Sequence, residues 1–177
     1  REVFDENLID LASNDYLGLS TNKNIFQKAY ETVLNEKYHS PKASMLVNGY
    51  SKIHKEFEEK LSNTNNFENA VIVGSGFLAN ISMIEALCRK TDTLFIDEEY
   101  HASGILATKL LKPEQVIIFK HNNAKDLKDK ILQNKRTGRI IIAIEGVYSM
   151  GGDLAPKEIF DIADEKNAIL LVDEAHS

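Results

Sequence analysis

From Ala70 to the end of the chain, short continuous apolar runs alternate with stretches whose apolar positions recur every three or four residues. The runs are AVIVG, TLFID, QVIIF, RIIIAIE and AILLVDE; the stretches between them are LANISMIEALCRK, SGILATKLL, AKDLKDKILQNK and PKEIFDIADEKN. Runs rich in Ile, Val and Leu without polar alternation read as strands covered on both faces, and the intervening period reads as helix. The alternation predicts an α/β fold with an open, mostly parallel sheet flanked by helices. Pro156 suits the first turn of the last helix, where its missing N–H leaves no bond unmade.

Residues 1 to about 69 carry few strand signals beyond LIDLAS. Two helices are expected there, over Lys23–Lys37 and Ile53–Leu61. Ile53, Phe57 and Leu61 share one face of the second, and Ser51 is its N-cap. The segment HSPKASMLVNGYS between them has the Pro, Ser, Asn and Gly content of a loop. The expected organisation is an N-terminal segment of helix and loop over 1–50, followed by the first part of a large domain over 51–177.

Composition narrows the class. The 177 residues are 43% hydrophobic, enough for one domain with a sizeable core. The 21 basic against 27 acidic residues give a net charge of −6, which disfavours nucleic acid and anionic membrane surfaces as partners. No apolar run approaches the roughly 18 residues of a membrane span. Cys88 is the only cysteine and lies in an apolar stretch, so it reads as a buried, inert thiol in a reducing cytoplasm. The chain starts without Met and stops directly after an apolar run, where a strand ordinarily leads into further structure, so a fragment is expected.

In open parallel sheets ligands bind beyond the carboxyl ends of the strands, and the residues there are chemically rich. Gly74-Ser75-Gly76-Phe77 opens a helix whose free N–H groups and positive dipole end suit a phosphate; an ordinary tight turn is the plain alternative. Asp173 closes a run expected to be buried, where a carboxylate is costly unless something cationic or hydrogen-bonding meets it. A protonated pyridine nitrogen would serve, and so would the following turn that an Asp caps. His101 and His176 both follow strands, as ring-stacking groups or as solvated loop residues, and Ser149 precedes two glycines as a ligand-facing hydroxyl or a turn serine. With one cysteine and no HxxxH or CxxC spacing, no metal site is expected.

Two other functions fit parts of the pattern. LLVDEAH is similar to the acidic box of nucleotide-hydrolysing helicases, but no glycine is followed by Lys, so the phosphate loop GxxxxGK[ST] is missing. Gly74-Ser75-Gly76-Phe77-Leu78-Ala79 satisfies the dinucleotide fingerprint G-x-G-x-x-G/A, with Asp97 closing the next strand, which leaves a Rossmann NAD-dependent oxidoreductase as the alternative. A binding module that merely keeps such a fold is the remaining alternative of a different class.

The motifs ASNDYLGLS, NGYSKIHKEFEEKL, GSGFLAN, DEEYHASG, EGVYSMGGDLAP and VDEAHS occur in this order. Together they resemble the α-oxoamine synthases, fold-type-I pyridoxal-phosphate (PLP) enzymes that condense an amino acid with an acyl thioester and release carbon dioxide. The resemblance spans nearly the whole chain and implies an acyltransferase with PLP as cofactor, working as a homodimer. Residue by residue it implies Gly76 and Phe77 at the cofactor phosphate, His101 stacked on the ring and positioning substrate, Asp173 at the ring nitrogen, and Ser149 and His176 near the ring hydroxyl. It gives Asn14 to the amino-acid carboxylate or the ring region. ASNDYLGLS and HSPKASMLVNGY are most similar to members that use L-alanine and a pimeloyl thioester, on CoA or a carrier protein; members using glycine share most motifs. Where many members have a glycine-rich stretch with an Arg, this chain has Ser40-Pro41-Lys42-Ala43-Ser44-Met45. The family's Schiff-base lysine follows the VDEAHS motif, so it is expected past residue 177 and the large domain is expected to be incomplete.

Overall fold

The computed structural model describes residues 12–177, and the strand signal LIDLAS lies largely outside them. The chain divides into two compact units, one up to Ile72 and one from Val73 to Ser177.

In the first unit, helix α1 (Lys23–Leu34) starts at Asn22, whose side-chain oxygen accepts from Asn24 N and Ile25 N. It ends three residues before the expected Lys37. The predicted loop contains a single π-type turn over Met45–Gly49. Helix α2 (Lys52–Asn65) starts at Ser51, whose N–H donates to His54 Nδ1 at 3.2 Å, and it stops at Asn66 in the left-handed region. Glu58 of α2 accepts from Tyr50 Oη at 2.6 Å and from Ile72 N at 2.9 Å. These bonds tie α2 to residues on both sides of it, so the helix expected to open the large domain at residue 51 packs within the first unit.

The second unit opens on α3 (Gly76–Leu87) and holds strands β1 (Thr93–Asp97), β2 (Val116–Phe119), β3 (Ile140–Glu145) and β4 (Ile169–Asp173). Between them lie α4 (Ala102–Ala107), α5 (Ala124–Gln133) and α6 (Lys157–Glu165). All strand pairs are parallel and the order is β2-β1-β3-β4. Side chains alternate between two cores. Leu94, Ile96, Ile141 and Ala143 face Ile84 and Cys88 of the α3 end and Ala107 of α4, whereas Phe95, Ile142 and Ile144 face Leu127 and Ile131 of α5 and Ile159 and Ile162 of α6. This is the expected parallel sheet with helices on both faces. The thiol of Cys88 is buried, and burial raises its pKa.

The sequence expectation fails in three details. AVIVG forms no strand: no ladder among the described residues includes 70–74, and Val71 is 79% exposed. An apolar run becomes a strand only where a neighbour accepts its backbone bonds. For the same reason β4, paired on one side only, is half-buried along most of its length, so Asp173 is half-buried where full burial was expected. Pro156 precedes the first residue of α6 as its cap, and its carbonyl accepts from Ile159 N at 3.0 Å.

Candidate active site

The strand order reverses between β1 and β3: the chain leaves β1 for β2 on one side, then returns past β1 to build β3 and β4 on the other. Loops leaving such a pair diverge and open a crevice beyond the strand ends, where α/β folds place their ligands. His101 and Ser149 lie in the segments that follow β1 and β3, and Asp173 is the last residue of β4.

Those loops are tied together. The buried Glu145, last residue of β3, accepts from His101 N at 2.5 Å and from Ser149 N at 3.2 Å. Burial raises the Glu145 pKa, the two amide bonds oppose that, and the charge of Asp173 adds to the rise. Asp173 Oδ1 accepts from Ala175 N at 3.0 Å and Oδ2 accepts from Asn80 Nδ2 at 2.7 Å. Asn80, on α3, also donates to Ser103 Oγ at 2.9 Å and accepts from Tyr100 Oη at 2.8 Å. Ser103 Oγ lies 2.7 Å from His101 Nδ1. Asp173 and His101 are thus joined through one amide and one hydroxyl. Gly104 makes room for this, because a Cβ there would lie 2.2 Å from the Tyr100 ring.

The start of α3 fits a phosphate. Ser75 caps it by accepting from Leu78 N at 3.2 Å, and Ala79 N reaches Ser75 O, while Gly76 N and Phe77 N, in the first turn, have no intrahelical acceptor. Nothing lies within 4 Å of a Cβ built on Gly76, so a ligand can approach the backbone closely. His101 and Ser149 are exposed, and His176 is half-buried in the turn after β4. Asn14 lies in the first unit, where its Oδ1 accepts from Tyr16 Oη at 3.4 Å. A carboxylate bonded, among the described residues, by neutral donors, N–H groups without an intrahelical acceptor and an exposed imidazole form a donor set that fits PLP.

Sequence reasoning missed Asn80, Tyr100, Ser103 and Glu145. The only signal in the sequence was position, since Tyr100 and Ser103 flank His101 and Glu145 ends its apolar run.

A second polar cluster sits beside the first, beyond β1 and β2. Asp97, fully buried, accepts from Glu99 N, Asn122 N and His121 Nδ1, each at 2.9 Å. The other ring nitrogen of His121 lies 2.7 Å from Asp153 Oδ2, Asn122 Nδ2 also donates to that carboxylate, and the ring meets Tyr148 edge-on at 4.4 Å. Burial opposes charge on His121, but the bonds to Asp97 and Asp153 and the charges of Asp97 and Glu99 outweigh it and raise its pKa. With its oxygens occupied inside the fold, Asp97 is closed to the ribose of a dinucleotide, and among the described residues no strand precedes the Gly74–Gly76 turn; both observations remove the Rossmann reading. Among the described residues, no group of three or more His, Cys, Asp or Glu is placed to hold a metal ion, and no helix is long and apolar enough to cross a membrane.

The chain belongs to the aminotransferase class I and II family, whose model matches residues 6–177. Within it, the similarity is to the α-oxoamine synthases. The 8-amino-7-oxononanoate synthase of Helicobacter pylori J99 is 53% identical over 178 residues, a match covering all of this chain and 48% of that protein. A putative 8-amino-7-oxononanoate synthase of Aquifex aeolicus is 39% identical, over 97% of this chain and 46% of its own length. The chain therefore spans about half the length of the curated relatives it matches. Among solved structures, a serine palmitoyltransferase variant from S. paucimobilis with a bound PLP–myriocin aldimine superposes with a TM-score of 0.84 at 30% identity, over 92% of this chain and 42% of that one. The 8-amino-7-oxononanoate synthase of Francisella tularensis gives 0.73 at 30% identity, over 98% and 47%.

Proposed function

We propose that the protein carrying this chain binds PLP at the β1–β3–β4 strand ends and condenses L-alanine with a pimeloyl thioester, on CoA or a carrier protein. The products are 8-amino-7-oxononanoate, carbon dioxide and the free thiol carrier, which places the protein in biotin biosynthesis. The observation that carries this reading is Asp173: a half-buried carboxylate with no ion pair to any described residue, held by two neutral donors. Such a group is stabilised by a cation supplied from outside the chain.

When bound, PLP supplies a cationic ring that absorbs the electrons of a carbanion at the amino-acid α-carbon. Asp173 would keep the proton on the ring nitrogen. Gly76 N and Phe77 N would hold the phosphate, Ser149 and His176 would orient the ring hydroxyl, and the His101 ring would stack on the cofactor ring and position substrate. The resemblance gives Asn14 to the amino-acid carboxylate or the ring region. Glu145 fixes the separation of the His101 and Ser149 loops. The identity to the Helicobacter protein favours alanine and a pimeloyl chain over the glycine-using glycine C-acetyltransferase and 5-aminolevulinate synthase types.

The proposed active form is a cytoplasmic homodimer. In this chain Phe26, Leu46 and Val47 of the first unit are 75%, 100% and 77% exposed, apolar surface that the rest of the full-length chain or a second subunit would cover. The reading puts the Schiff-base lysine past residue 177, so the 177-residue piece alone is expected to be inactive and to give no PLP adduct after borohydride reduction; an adduct seen by mass measurement would show that the lysine is misplaced. For the full-length protein the test is turnover of L-alanine and of glycine with pimeloyl, acetyl and succinyl thioesters. Release of 8-amino-7-oxononanoate from the alanine–pimeloyl pair is expected, and faster turnover of any other pair rejects the substrate assignment.

A further inference from the structure

The amide of Asn80, on α3, meets Tyr100 of the loop after β1, Ser103 of α4 and Asp173 at the end of β4, and the residue is 4% exposed. A buried amide left without partners is costly, so its orientation is set by what surrounds it. Asp173 has only acceptors to offer an ionised contact, so the atom facing it is Nδ2, a donor, at 2.7 Å. Oδ1 then faces Tyr100, whose hydroxyl donates at 2.8 Å. Burial and the charges of Asp173 and Glu145 keep that hydroxyl protonated.

The same logic runs on to His101. Ser103 Oγ, buried, accepts the second Nδ2 proton at 2.9 Å, so its own proton is directed to His101 Nδ1 at 2.7 Å. Ser103 N also donates to that nitrogen, at 3.2 Å. With two donors aimed at Nδ1, the neutral ring carries its proton on Nε2, toward the exposed side.

We propose that Asn80 is a positioning residue: its one amide aims the Asp173 carboxylate and, through Ser103, sets His101 in the Nε2–H tautomer, so that both groups facing the cofactor are oriented by a single side chain. Tyr100 locks the amide against rotation, and Gly104 is the residue that lets the Tyr100 ring lie close enough to do so. The proposal rests on the PLP reading above.

Two measurements on full-length protein test it. In cofactor-free protein labelled with 15N-histidine, the ring nitrogens of His101 are expected to show the Nε2–H pattern; an Nδ1–H pattern overturns the hydrogen-bond chain. In PLP titrations followed by absorbance, Asn80→Leu, similar in volume but without donor or acceptor, is expected to weaken binding by about 10–100-fold, the range in which orienting groups behind a ligand-holding residue act. It should also lower kcat while leaving the KM for the amino acid within about threefold, because aim at the cofactor, and not substrate affinity, is what is lost. Tyr100→Phe keeps the packing on Gly104 and removes only the lock, so a smaller loss in the same direction is expected, and it carries the test if Asn80→Leu does not fold. PLP binding by either folded variant within twofold of wild type overturns the positioning role. Wild-type protein that fails to bind PLP overturns instead the cofactor reading itself, and the positioning role with it.

Discussion

Two polar clusters lie side by side at the carboxyl ends of the sheet, and they are built on opposite principles. Around His121 the charges answer one another: Asp97 and Asp153 flank one imidazole, the backbone amide of Glu99 shares Asp97 Oδ1 with that ring, and the amide of Asn122 occupies Oδ2. Around Asn80 the connecting groups are neutral, an amide and two hydroxyls, and they hold the Asp173 carboxylate without neutralising it. A cluster whose charges are balanced internally contributes to the fold and has little left for a ligand. One that orients a charge and leaves it unpaired stores binding capacity. Proximity to a strand end does not distinguish the two, since both Asp97 and Asp173 are the last residues of their strands; the chemistry of the partners does.

Substitutions in the full-length protein break that contrast in graded ways. The largest effect on stability is expected from Asp97→Ala, which strips a buried carboxylate from a charged partner and two amides; unfolding free energy should fall by about 3–5 kcal/mol in denaturant titrations. A loss under about 1 kcal/mol would place Asp97 among the exposed ion pairs instead. Asp173→Asn should do the reverse, lowering turnover by about 10²–10³-fold with the thermal midpoint moved by no more than a few degrees. Near-normal activity in that variant rejects the ring-nitrogen role.

Gly104→Ala is expected to cost about 1–3 kcal/mol by overpacking against the Tyr100 ring, and to weaken PLP binding along with it. An unchanged melting curve would mean that the ring moves aside freely. The smallest effect is a pH profile. Because the folded pKa of His121 lies above its ordinary value, its contribution to stability is full below about pH 6.5 and is lost as pH rises through the raised folded value. Asp153 is shifted the other way by His121, so its contribution is present above the ordinary carboxylate range and is lost as pH falls through its lowered pKa. The stability gap between wild type and His121→Gln should therefore be widest in mildly acidic buffer and narrow toward alkaline pH. A gap that does not change with pH would show that His121 stays neutral.

Much of this architecture was legible before any coordinates. Four of the five apolar runs became strands, since Ile-, Val- and Leu-rich runs between helical stretches have few alternatives to a doubly covered parallel sheet. The glycine turn at the start of α3 and the strand-end positions of His101, Ser149 and Asp173 followed from the same pattern. AVIVG shows the limit: its composition equals that of its neighbours, and only the presence of a pairing edge decides whether such a run becomes a strand. Asn80 shows another. In the sequence it is one polar residue inside a helix that is otherwise largely apolar, with nothing to connect it to Asp173, 93 positions away.

The sequence by itself determined the class of fold, the family and which side chains stand at the strand ends, because these depend on local periodicity and on motif order. Tertiary structure alone decided which carboxylate meets an imidazole and which is held by neutral donors. That choice depends on which donors distant segments bring within 3 Å of each oxygen, a quantity that no local pattern encodes.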